Sequence, residues 1–151
     1  MNLRIASLML IACLLVGPAC GGDAGAPTKA EFIEEADSIC AEASEESQQI
    51  ALEGFEDPQN PTGAEVLAVF EKIIPIQRRA VDDIRALERP EGDSEEIGAF
   101  VDRADAALDE AQAIRSSQEA TAALEASDTP RDSFYEANRA ARRYGLEDCA
   151  E

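Results

Sequence analysis

Pro27-Thr28-Lys29-Ala30-Glu31-Phe32-Ile33-Glu34-Glu35-Ala36-Asp37-Ser38-Ile39-Cys40 carries a helix start and the first turns of an apolar stripe. Thr28 and Glu31 stand three apart ahead of an apolar run, so each side chain can satisfy a backbone donor of the other. That is a capping box, and it marks a helix start. Phe32, Ala36, Ile39, Cys40, Ala43, Ile50 and Ala51 then recur every three or four residues, the spacing of one helical face. The spacing predicts a helix from about residue 28 to 57, ended by Pro58.

The same device recurs downstream. Thr62-Gly63-Ala64-Glu65 is a second capping box. Val66, Val69, Phe70, Ile73, Ile74, Ile76, Ala80, Val81, Ile84 and Leu87 follow it, and Pro90 ends the segment. Pro75 lies inside and is expected to kink this helix, because its ring removes one backbone hydrogen bond. Asp93 with Glu96 reads as a third capping box, ahead of Ile97, Phe100, Val101, Ala104, Leu108, Ala111 and Ile114. The pattern weakens at Ser116-Ser117, which leaves open one long helix or two. Thr129-Pro130 begins a last segment, whose inner face is Phe134, Ala137, Ala141 and Tyr144. Gly145-Leu146 reads as a Schellman stop, and Arg139, Arg142 and Arg143 suit the negative end of that helix. No run alternates with period two. The expected fold is all-α, an up-down-up-down four-helix bundle after a cleaved lipoprotein signal peptide.

The N-terminal residues carry that signal. Met1-Asn2-Leu3-Arg4 holds one positive charge, Ile5 to Val16 is apolar, and Gly17-Pro18-Ala19 is small. This is an export leader, too short to cross a bilayer. Cys20, followed by Gly21-Gly22-Asp23, resembles the lipobox cysteine of bacterial lipoproteins, whose sulfur is acylated. Two alternatives stand beside it: a lipobox at Leu10-Ile11-Ala12-Cys13, and an ordinary secretory cut after Ala19. The expected organisation is residues 1–19 as signal peptide, 20–27 as flexible tether and 28–151 as helical domain. The protein is expected to be exported and lipid-anchored on the outer face of the cell membrane. The tether reaches roughly 15 Å, which keeps the domain close to the bilayer.

Composition removes several functions. Arg4 leaves with the leader, so the exported part carries 12 basic and 32 acidic residues, a net charge of −20. Such a chain repels nucleic acid and anionic headgroups. It has no His, and so no imidazole base and no usual zinc or haem-proximal ligand. Phosphate-cradling loops, C-x-x-C and G-x-S-x-G are absent too. No enzyme activity, cofactor or metal is expected. Carboxylate-only catalysis would need a buried, facing pair of acids.

Cys40 and Cys149 are the remaining even pair in an oxidising compartment. At 1.5 Å per residue, Cys40 lies roughly 18 Å along the first helix. The last helix descends about 22 Å from the opposite end, which brings Cys149 to a similar height. A disulfide is compatible with this geometry, and two free thiols remain the alternative. The phrases Phe32-Ile33-Glu34-Glu35-Ala36-Asp37-Ser38-Ile39-Cys40 and Tyr144-Gly145-Leu146-Glu147-Asp148-Cys149 resemble a group of uncharacterised helical lipoproteins from actinobacteria and their relatives. Leu87-Glu88-Arg89-Pro90 matches that group's second-helix ending loosely. The resemblance implies the fold and the disulfide, and no activity.

The acidic run Glu31, Glu34, Glu35, Asp37, Glu42, Glu45 and Glu46 reads as a solvated face rather than a cation site. Glu91-Gly92-Asp93-Ser94-Glu95-Glu96 has calcium-loop composition without the alternating ligand order. Arg139, Arg142 and Arg143, like Arg78-Arg79, read as partners for neighbouring acidic faces, with an anionic ligand as the sharper alternative. The expected function is a non-enzymatic interaction module of the cell envelope, its partners the membrane through the lipid and an envelope protein. The alternative is a small-molecule binder with a pocket near Pro75 lined by Phe70, Ile74 and Phe100.

Overall fold

A computed structural model describes residues 25–126 and 133–150. The leader, Cys13, Cys20, most of the tether and the Thr129-Pro130 helix start lie outside the described residues. Those described are all-helical: α1 Lys29–Gly54, α2 Gly63–Ala86, α3 Ser94–Ala113, α4 Ser117–Ala126 and α5 Ser133–Tyr144, then a 3-10 turn Asp148–Ala150. The third segment is thus two helices, broken at residues 114–116. Among the described residues, no helix is long and apolar enough to cross a membrane.

Both threonine capping boxes form. Thr28 N–H donates to Glu31 Oε2 at 2.8 Å, and Glu31 N–H donates back to Thr28 Oγ1. Thr62 and Glu65 repeat the exchange, and Glu65 Oε1 also accepts from Glu56 N–H at 2.9 Å, tying down the α1–α2 loop. Hydrogen bonds to the Thr28 backbone and hydroxyl hold the Glu31 carboxyl below the usual carboxylate range. The Thr62 hydroxyl, then the Glu56 and Thr62 backbone, do the same to Glu65. α2 runs unbroken through Pro75, which is exposed.

Neighbouring helices run antiparallel. Gln77 Nε2 on α2 donates to the buried Ser47 Oγ on α1 at 2.9 Å, a polar pair that fixes their register. Arg78 on α2 pairs with Asp109 on α3 at 2.8 Å, and Arg85 with Asp105. Of the arginines expected to meet a neighbour's acidic face, Arg78 does; Arg139 pairs with Glu136 of its own helix, and Arg142 bonds the Ala150 carbonyl. α4 crosses the start of α2 so closely that a Cβ on Gly63 would stand 2.1 Å from the Ser117 carbonyl oxygen. Any larger residue at 63 pushes the two helices apart.

One core cluster joins Phe32 and Ala36 of α1, Val81 and Ile84 of α2, Ile97, Phe100, Val101 and Leu108 of α3, and Ala141 and Tyr144 of α5. A smaller one, Ala43, Ile76 and Ala80, seals α1 against α2. Phe134 departs from expectation: it is 41% exposed. Ala137, Ala140, Ala141 and Tyr144 are the buried residues of α5. At about 100° per residue, Phe134 falls about 70° from the centre of that stripe.

Candidate functional site

The two halves of the fold meet where the C-terminal segment lands on α1. Gly145 has φ +106°, the left-handed conformation that suits glycine, and its N–H and that of Leu146 both reach the Ala141 carbonyl. The chain reverses there, and Leu146 is fully buried. Asp37 Oδ2 and Oδ1 then accept from the Glu147 and Asp148 N–H groups, each at 3.2 Å. Arg142 Nη2 donates to the Ala150 carbonyl at 2.6 Å. Cys149 reaches Cys40, with Cα atoms 5.0 Å apart and the sulfurs bonded.

The expected cysteine pair therefore forms, by a route that differs from expectation. Among the described residues, no α-carbon of α5 comes within 8 Å of α1. The backbones are held apart by two large rings, Phe32 and Tyr144, stacked edge-on with centroids 5.8 Å apart. Instead, the 3-10 turn crosses the gap. Asp37, read from the sequence as part of a solvated acidic face, is the acceptor that orders this turn.

Replacing Asp37 by alanine removes the acceptor of two backbone donors. It is expected to cost about 1 kcal/mol, the scale of a helix N-cap, in urea unfolding. Amide exchange at residues 147 and 148 accelerates in parallel, whereas an unchanged exchange rate there would refute the role.

Tyr144 is the second departure. Asp93 makes no cap bond to α3, contrary to the capping box expected with Glu96. Its carboxylate accepts instead from Tyr144 Oη at 2.8 Å. A buried phenol without an acceptor costs about 1–3 kcal/mol, while the first N–H groups of an exposed helix end are served by water. That difference decides where Asp93 points. Lys29 Nζ sits 4.0 Å from the centre of the same ring, placing a cation on its face.

Burial first, then the hydrogen bond to Asp93, raises the Tyr144 phenol well above its ordinary 10.0. Its folded value is raised, so the stability it contributes is present below pH 10.0 and lost as pH climbs toward the folded value. Tyr144→Phe is expected to lower stability by about 1–2 kcal/mol at neutral pH. It should also flatten the alkaline loss, measured as urea midpoints on either side of pH 10.0. Parallel alkaline curves for both proteins would contradict this.

Chemically reactive groupings are sparse. Every Asp and Glu whose exposure is described is at least partly exposed. Among the described residues, no cluster of three or more His, Cys, Asp or Glu can hold a metal ion. The Cys40 and Cys149 sulfurs are consumed by their bond. Of the expected pocket residues, Phe100 is buried in the main core cluster, while Phe70 and Ile74 are half-buried on α2. A cavity of about 230 Å³ lies elsewhere, between α3 and α5, lined by Glu96, Ala99, Arg103, Ala140, Arg143 and Tyr144. It contains none of those three.

No protein-family model, no curated protein and no solved structure matches this chain.

Proposed function

We propose that this chain is an exported lipoprotein, acylated at Cys20 after removal of residues 1–19. On this reading it holds a helical interaction module at the outer face of the cell membrane. The observation that carries the reading is the Cys40–Cys149 bond, since such bonds persist in oxidising compartments and are rare in the cytosol. It stands behind a charged, then apolar, then small-residue leader that ends at a cysteine. α1, α2, α3 and α5 form the four helices of an up-down-up-down bundle, with α4 as an added arm. The module works through its surface, as a scaffold for an envelope protein, rather than through a reaction.

Membership of the actinobacterial-type lipoprotein group rests on the two cysteine phrases. Their residues have structural work: Phe32 meets Tyr144, Asp37 takes the 147–148 N–H groups and Cys40 bonds Cys149, while Ala36 and Leu146 share the core cluster. This supports reading them as one paired motif. α1 begins at the end of the body where Tyr144 and Asp93 meet, so the anchor draws that end toward the lipid. The opposite end, with the α1–α2 loop, faces outward.

Intact mass spectrometry of the protein from its native envelope, with and without reductant, tests the reading. The expected mass is that of residues 20–151 carrying acyl chains, rising by two hydrogens on reduction. An unacylated chain, or one that retains residues 1–19, overturns it.

A further inference from the structure

The α3–α5 cavity is anomalous in a chain with 32 acidic and 13 basic residues. Elsewhere most described guanidinium groups are engaged, the exposed Arg79 excepted. Arg78 and Arg85 pair with acids across helices, and Arg139 pairs with Glu136. Arg89, Arg115 and Arg142 bond backbone carbonyls at helix ends. Arg103 and Arg143, from facing helices, line one concavity, and among the described residues neither is paired with a carboxylate. Arg103 spends one Nη on the Ala99 carbonyl at 2.7 Å, which fixes the side chain and leaves its other donors. The cavity exists because Ala99 and Ala140 are small where the helices meet. The Tyr144 hydroxyl is committed to Asp93, so that residue offers the cavity an apolar wall rather than a donor.

We propose that this cavity binds a small organic anion carrying a hydroxyl or ammonium group, such as a short hydroxy acid or amino acid. The anionic end lies on Arg103 and Arg143, whose forked donors match a carboxylate. Glu96, an acceptor on the same wall, takes the ligand's donor group. Size sets the class: about 230 Å³ is below the roughly 300–1,000 Å³ of drug-sized sites. The strong negative field of the whole chain opposes any anion, so binding is weak and is won by the local pair. The site is independent of lipid anchoring and goes beyond the surface reading above.

The test is an amide chemical-shift titration of the isotope-labelled full chain in a mild non-ionic detergent. L-lactate and L-alanine are the probes, with acetate as the anion lacking a donor. Saturable shifts at Ala99 and Ala140, several-fold tighter for lactate than for acetate, are expected. Arg143→Gln and Arg103→Gln should each weaken lactate at least tenfold while leaving the melting curve in place. Glu96→Gln should bring lactate to the level of acetate. Shifts that stay linear with concentration, or equal binding by the parent and either arginine variant, overturn the site. An unchanged lactate preference in Glu96→Gln overturns the role given to Glu96. Neither result touches the mass-spectrometric test of anchoring.

Discussion

Unfolding free energy is expected to fall by about 2–5 kcal/mol when Cys40 and Cys149 are both replaced by serine. The bond joins residues 109 apart. In the chain-entropy account, closing a loop of about 100 residues constrains the unfolded chain by about 4.7 kcal/mol. Leu146 packing and the Asp37 hydrogen bonds hold part of the 3-10 turn against α1 without the sulfurs, but neither restrains the unfolded state. The loss should therefore appear as a lower urea midpoint in the reduced wild type as well as in the double-serine variant. Because α5 touches α1 only through side chains, the reduced protein should first lose amide protection at residues 145–150. A midpoint indifferent to reductant would show that the core clusters alone carry the fold, and the staple reading would fail.

Phe32→Ala should cost about 3–5 kcal/mol, the range for emptying a buried aromatic site. Phe32 is 1% exposed and lies in the cluster that joins α1, α2, α3 and α5. Its loss also removes the edge-on partner of Tyr144, the contact that spans the gap between α1 and α5. Equilibrium urea unfolding at fixed pH measures the cost, and a value below about 1.5 kcal/mol would mean that the helices close over the cavity. Phe32 and the disulfide brace the same C-terminal segment, so the triple variant should not show the simple sum. A double-mutant cycle reads that coupling, and residues sharing one cluster commonly couple by about 0.5–3 kcal/mol.

Secondary structure was legible because its causes are local. Thr28 with Glu31 and Thr62 with Glu65 need only a spacing of three, and both boxes form. The apolar positions of α1, α2 and α3 need only the helical period, and Phe32, Val66, Ile84, Ile97 and Phe100 are buried as that period requires. Gly145 needs only a backbone free to turn left-handed. Phe134 shows the limit of the period: three residues before Ala137 is near enough to the stripe to read as inside, and far enough round to lie exposed.

Asp93 and Asp37 were not legible, since each is claimed by a group distant in the chain. Asp93 gives up a local cap because the phenol of Tyr144, 51 residues away, needs an acceptor inside the fold. Asp37 orders a turn 110 residues later. The cavity of Arg103 and Arg143 has the same origin, since no periodicity says that two alanines will face each other between those arginines.

From residue order alone follow the helical segments, the two threonine caps and most of the apolar faces, because each depends on neighbours within a turn or two. How those helices join depends on which distant groups can share space. The two rings that keep α5 off α1, the turn that bridges the gap and the destination of each carboxylate were settled by packing, where steric volume and unsatisfied polar groups outweigh local preference.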